Sequence, residues 1–253
     1  MALDAVIFDS DGTIFDSGVI KNVYSDMKEF FGAKYKGQFG KDSEEYIFSR
    51  SLARKEVNDT GVSWQETCKR LGILQMDFKY TGVMFLLFQS LYSKDIRPFY
   101  GIEKVLRYCR FESKESYGKE IDCYILSTNN VEHIQGLLRK FGLDFYFDWL
   151  KAIFPTRNSS FPKEDERKPN PAPINRLVTE KGYDKNNVVY VGDMVVDALT
   201  CQNAGIRMIH AGWGANDKDT ILENVEPSFA SQITFLDSPK DLYFLIKKLH
   251  EEQ

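Results

Sequence analysis

A short apolar run that stops on two carboxylates limits this chain more than any other stretch. Leu3-Asp4-Ala5-Val6-Ile7-Phe8 leads directly into Asp9-Ser10-Asp11-Gly12-Thr13. Residues 5–8 are apolar, β-branched or aromatic, with no polar interruption. That pattern predicts a strand buried on both faces, as inside a parallel sheet. Two like charges so close raise each other's pKa unless a cation neutralises them. Their place matters too, because open α/β sheets bind ligands beyond the carboxyl ends of their strands. The stretch therefore reads as a site as well as a strand.

Behind this strand the chain changes character twice. Between residues 17 and 95 no buried strand is predicted, and helical blocks are expected at 19–31, 43–57, 63–71 and 77–91. Ser43-Glu44-Glu45-Tyr46 and Ser63-Trp64-Gln65-Glu66 look like helix starts, the second a capping box. Aromatic residues here fall at roughly helical spacing, the pattern of a bundle core. They predict an all-helical inserted domain, 17–95, with the Gly- and Lys-containing loop 32–41 as its tip or hinge. Pro98-Phe99-Tyr100-Gly101 then punctuates a return to alternating elements. Strands are expected at 121–126, 150–154, 188–191, 207–210 and 233–235. Helices are expected at 102–110, 131–141, 174–181, 198–203 and 239–250. Such alternation gives a parallel sheet with right-handed crossovers. The fold class is thus α/β: a Rossmann-like, three-layer core from 1–16 and 96–253, plus the helical insert.

Composition narrows the partners. The chain has 253 residues, 43% hydrophobic and 28% charged, enough for an ample core. A net charge of −4 without a long basic run gives no reason to expect nucleic acid or a membrane surface. The most apolar helical stretch, 83–91, is too short to span a bilayer. Cys68, Cys109, Cys123 and Cys201 are scattered, without a Cys-x-x-Cys pair. Reduced thiols in a cytoplasmic protein are the expectation, rather than a zinc site or disulfide framework. Met1 leads straight into a strand, so no signal peptide is expected. A monomer or weak dimer is expected.

Three predicted strands end in polar or acidic residues: Asp9 and Asp11, then Ser127, Thr128 and Asn129, then Asp193 and Asp197. Lys168 lies in a loop expected to reach the same edge of the sheet. Four carboxylates together are tolerable around a hard divalent cation, and magnesium prefers oxygen ligands. A lysine and a hydroxyl beside them suit an incoming phosphate.

These residues resemble the motifs of the haloacid dehalogenase superfamily, phosphatase branch. Asp9-Ser10-Asp11-Gly12-Thr13 matches its Asp-x-Asp-Gly-Thr loop. Ser127 matches the Ser/Thr of the second motif, Lys168-Pro169 the lysine of the third, and Gly192-Asp193 with Asp197 the fourth. The runs 168–171 and 198–205 resemble the phosphoglycolate phosphatase and β-phosphoglucomutase type of member. The likeness covers 1–16 and about 96–215; it covers the insert only by position and size. It implies that Asp9 is a nucleophile forming an aspartyl phosphate, and that Asp11 is the acid and then the base. It implies magnesium held by the Asp9 carboxylate, the Asp11 main-chain carbonyl and Asp193, with Asp197 in support. Ser127 and Lys168 would bind the phosphoryl oxygens, with Gly12 and Thr13 shaping the loop and Asn129 near the leaving group. Either Ser127 or Thr128 could be the phosphate ligand; Ser127 is favoured because it follows the apolar run directly. Arg157 or Lys163 could replace Lys168, but the Lys-Pro pairing favours Lys168. The insert would act as a lid that selects a small phosphorylated metabolite.

Plainer readings stand beside these. Asp9 and Asp11 could be a helix N-cap pair, and Asp197 the cap of a helix beginning at Ala198. Arg50 and Arg54 share a helix face and could be solvated or touch an anionic substrate. Trp213, between two glycines, could simply plug the sheet edge. A phosphomutase, a metal-free haloacid dehalogenase, a non-catalytic anion- or partner-binding relative and a phospho-acceptor domain are the rival readings.

Overall fold

The computed structural model describes residues 3–18, 93–129, 131–147, 153–155 and 168–251. The chain divides into two compact units, Met1–Asp16 with Arg97–Gln253, and Ser17–Ile96. The helical blocks of the insert, its loop 32–41, Arg50 and Arg54 lie outside the described residues, as do Arg157 and Lys163.

The first unit is built on a six-stranded sheet in the order β5-β4-β1-β6-β7-β8. Its strands are β1 (Ala5–Phe8), β4 (Asp122–Ser127), β5 (Ile153–Pro155), β6 (Val188–Gly192), β7 (Arg207–Ala211) and β8 (Ile233–Leu236). Every pairing between them is parallel. The expected α/β, Rossmann-like core is therefore present. β1 lies at the centre because every residue in it is buried, which suits its unbroken apolar run. From β1 the chain steps to β4 and β5 on one side, then crosses back to β6, β7 and β8 on the other. Right-handed crossovers running in opposite directions put their helices on opposite faces of the sheet. The reversal also opens a crevice at the carboxyl ends of β1, β4 and β6.

A second, two-stranded antiparallel ribbon joins β2 (Phe15–Asp16) to β3 (Arg97–Pro98). The helices are α1 (Ile102–Arg107), α2 (Ser113–Tyr117), α3 (Val131–Lys140), α4 (Ala172–Lys181) and α5 (Val195–Ala204). Then come α6 (Lys218–Glu223), α7 (Pro227–Ala230) and α8 (Pro239–Glu251).

Three local differences from expectation have physical causes. The helix expected over 102–110 continues through a π-helical turn, Tyr108–Glu112, into α2. There Ser113 Oγ donates to the Cys109 carbonyl (2.7 Å), the kind of back-bond that bends a helix. α5 starts at Val195 rather than 198, because Asp197 is the third residue of the helix and not its cap. α6 was not expected, yet Asp217 caps it by accepting from the Thr220 N–H (2.8 Å).

Candidate active site

Asp9 stands one residue beyond β1, and its N–H donates to Val191 O (2.8 Å). The sheet ladder thus runs one step further and fixes the carboxylate at the carboxyl edge. Phe8 pairs with Ile125 and Val191. Ser127, the last residue of β4, and Asp193, one residue past β6, therefore reach the same edge. Both are buried, as is Asp9.

Lys168 occupies the centre of the cluster, its side chain 2% exposed. Its Nζ donates to Asp9 Oδ1 (2.9 Å) and to Asp197 Oδ1 (2.6 Å). Asn203 Nδ2 on α5 donates to Pro169 O (2.9 Å), tying the Lys-Pro turn to the helix that carries Asp197. Asp197 Oδ2 accepts the Met194 N–H (3.1 Å), so the residue also serves as half of a capping box. One carboxylate thus closes the first turn of α5 through Oδ2 and meets Lys168 through Oδ1.

Asp193 is held from two sides. Its Oδ2 accepts the Ala215 N–H (2.7 Å), and its Oδ1 accepts from Thr13 Oγ1 (3.4 Å). Asn216 N–H donates to the Asp193 carbonyl (3.2 Å), and Asn216 Oδ1 accepts from Val195 N, the first residue of α5 (3.0 Å). Trp213 Nε1 donates to Thr13 O (3.1 Å), so it ties the turn after β7 to the first loop rather than only plugging the edge. Gly12 has φ +76°, and a Cβ there would stand 2.1 Å from Asp193 Oδ2. Only glycine fits that approach.

Asp11 is half-buried, and its Oδ2 accepts from Asn129 Nδ2 (2.6 Å). Asn129 N–H in turn donates to Ser127 Oγ (3.2 Å). Asn129 therefore touches Asp11, one of the residues that the sequence reading put on the leaving-group side. Thr128, half-buried, is the first residue beyond β4.

One oxygen each of Asp9, Asp193 and Asp197 lie within 4.8 Å of one another, and all three residues are buried. At that spacing each charged pair repels by roughly 3 kcal/mol at an effective dielectric constant of about 20. One lysine cannot cancel three carboxylates. Burial accordingly pushes the Asp9 carboxyl up to about 7, with Lys168 opposing and Asp197 and Asp11 adding to the rise. Burial, then Asp9 and Asp197, hold Asp193 well above the usual carboxylate range. Lys168 is raised, its two carboxylate partners outweighing the effect of burial. A cluster with this excess of negative charge is suited to a hard cation.

The sequence reading missed Tyr190, whose buried hydroxyl contacts Asp197, and it named Trp213 but not Ala215 and Asn216, which hold Asp193. Tyr190 was legible only as the one polar-tipped residue within the apolar run 188–191.

A family model described as haloacid dehalogenase-like hydrolase matches residues 6–211. This chain belongs to the haloacid dehalogenase-like hydrolase family. It is 24% identical over 222 residues to the pyrophosphatase PpaX of Halalkalibacterium halodurans, covering 87% of this chain and 89% of that one. It is 24% identical over 251 residues to a phosphoglycolate phosphatase of Synechococcus elongatus, covering 98% and 99%. Among solved structures, a haloacid dehalogenase-like family hydrolase from Streptococcus pneumoniae matches with TM-score 0.64 and 15% identity, over 96% of this chain and 98% of that one. Identity that low speaks for the fold alone. No helix among the described residues is long and apolar enough to cross a membrane.

Proposed function

We propose that this hydrolase is a magnesium-dependent phosphatase that cleaves small phosphomonoesters through an aspartyl phosphate on Asp9. The observation that carries the reading is the Lys168 bridge. One buried ammonium contacts Asp9 and Asp197, while Asp193 completes a three-carboxylate cluster at the sheet edge.

The donor set fits a hard divalent ion: buried oxygens converge, and their charge exceeds what Lys168 offsets. The Asp9 carboxylate, the Asp11 main-chain carbonyl and Asp193 would hold it, with Asp197 in support. When bound, magnesium draws charge from the phosphoryl oxygens.

Asp9 attacks phosphorus, and the bond from phosphorus to the ester oxygen breaks. Asp11 delivers its proton to that departing oxygen. In the second half, Asp11 takes a proton from water as the water oxygen attacks phosphorus, and the bond to Asp9 breaks. Such a two-step path replaces one difficult displacement with two easier ones. The Ser127 hydroxyl donates to a phosphoryl oxygen, with Thr128 the alternative donor. Lys168 opposes the upward push of burial on Asp9 and balances the incoming dianion. The main chain at Gly12 allows close approach, and Thr13 steadies Asp193.

The relatives' names mention phosphoglycolate and pyrophosphate phosphatases, so both substrates belong in the test. A panel of phosphomonoesters plus pyrophosphate, assayed with magnesium for phosphate release, should show turnover that EDTA removes. Asp9→Asn should abolish that turnover while leaving the fold intact. Retained activity in Asp9→Asn would sink the mechanism. Activity that survives EDTA would favour the dehalogenase type, and a phosphorylated acceptor product a mutase.

A further inference from the structure

We propose that Tyr190 is a positioning residue of this site, a hydroxyl anchored on β4 that fixes the Lys168–Asp197 pair beside Asp9. Its kinetic consequence rests on the phosphatase reading; the placement of Lys168 does not.

Tyr190 is fully buried in the middle of β6. A buried tyrosine hydroxyl needs a partner, and this one has two acceptors. It lies 2.8 Å from Leu126 O and 3.0 Å from Asp197 Oδ1. The single phenolic proton is therefore shared between a β4 carbonyl and the α5 carboxylate. Leu126 directly precedes Ser127, so the hydroxyl also sets the spacing between the strand that presents Ser127 and the helix that presents Asp197. Lys168 Nζ lies 5.4 Å from the centre of the Tyr190 ring, within cation–π range. Its charge is thus bounded by Asp9, Asp197 and an aromatic face.

The chain of contacts runs from Leu126 O through the Tyr190 hydroxyl, Asp197 Oδ1 and Lys168 Nζ to Asp9 Oδ1. Gly192 makes room for it. A Cβ there would stand 2.6 Å from Asp197 Oδ2 and 2.7 Å from Tyr190 Cε1. Valine would have continued the strand equally well at 190; the hydroxyl adds nothing to strand packing, but it adds a donor to Asp197. Groups that orient the residues contacting a reacting centre commonly change activity by about 10–100-fold when removed.

Tyr190→Phe keeps the ring and removes the hydroxyl. Reductive methylation of Lys168, read by peptide mass spectrometry on the full chain, should become faster than in wild type. Phosphomonoester turnover should fall by about 10–100-fold, mostly in kcat. Tyr108→Phe is the control: Tyr108 is a buried tyrosine whose hydroxyl meets His250 Nδ1 (3.2 Å), and it should leave both readouts at wild-type levels. Equal methylation rates in Tyr190→Phe and wild type overturn the proposal, as does a Tyr108→Phe that reproduces both changes. A wild type inactive on the whole panel defeats the phosphatase reading, while the methylation result still decides for or against Tyr190. Should Tyr190→Phe not fold, tyrosine-labelled wild type decides by NMR. A slowly exchanging Tyr190 hydroxyl proton with a cross-peak to Lys168 supports the anchor, and a freely exchanging one overturns it.

Discussion

Single residues at this edge do several tasks, which makes some substitutions unusually informative. Gly12 both takes a positive φ and passes against Asp193. Gly12→Ala should lower stability by about 2 kcal/mol from the left-handed backbone alone and reduce turnover by more than about a hundredfold through displacement of Asp193. Thermal melts and kinetics check the two effects separately. Asn129 donates to Asp11, so its loss should tell most where a leaving oxygen needs a proton. In Asn129→Ala, alkyl phosphates should slow by about a hundredfold, within the usual range for proton transfer. Aryl phosphates with good leaving groups should slow much less. Equal losses for both would show that Asn129 does not serve Asp11. Asp9, Asp11 and Asp193 drew attention because charges at the ends of apolar runs are costly without a purpose, whereas Lys168, in a polar loop, was singled out by its pairing with Pro169. Tyr190 was not, because a tyrosine inside an apolar run reads as core until its partners are known.

At the scale of elements, periodicity located the strands well because each is a short apolar run between turn residues. It failed where the signal is short or shared. β2 and β3 are two residues each, below any useful window. α5 was started late because Asp197 looks like a cap in sequence, and only geometry shows it inside the first turn. The C-terminal helix carries a testable acid sensitivity. His250 on α8 is fully buried, its Nδ1 meeting the Tyr108 hydroxyl and its ring 4.7 Å from that of Tyr117. Burial, aided by Lys119 and opposed by Glu251, pushes the imidazole below its ordinary range. A lowered folded-state pKa means the neutral ring stabilises the fold above the unfolded value of about 6.5. That contribution is lost as pH falls below 6.5 toward the folded-state value. His250→Phe should flatten the fall in melting temperature between about pH 7 and pH 5. An unchanged slope would remove His250 as the cause.

For the whole molecule, a cation held as proposed by the three buried carboxylates would be linked to folding. A ligand bound only by the folded state stabilises it by RT ln(1 + [L]/Kd), about 2.7 kcal/mol at a hundredfold excess over Kd. Magnesium should therefore raise the melting temperature of the wild type. Asp193→Asn should melt no lower than wild type without metal, because a repulsion is relieved, and should lose the magnesium increment. An increment that persists would place the cation elsewhere. The overall class was readable from alternating elements, and the order of the strands required the structure. No local pattern says that β6 returns to the far side of β1.

The β2–β3 ribbon has an evolutionary consequence. Asp16, where the chain departs, is paired with Arg97, where it comes back. The core thus closes on itself at that point with its own hydrogen bonds, like a socket with both terminals side by side. Antiparallel partners lie about 5 Å apart, so any segment with adjoining ends can be fitted there without altering β1 or the residues beyond it. Selection can trade one such segment for another while the strand that leads to Asp9 stays as it is.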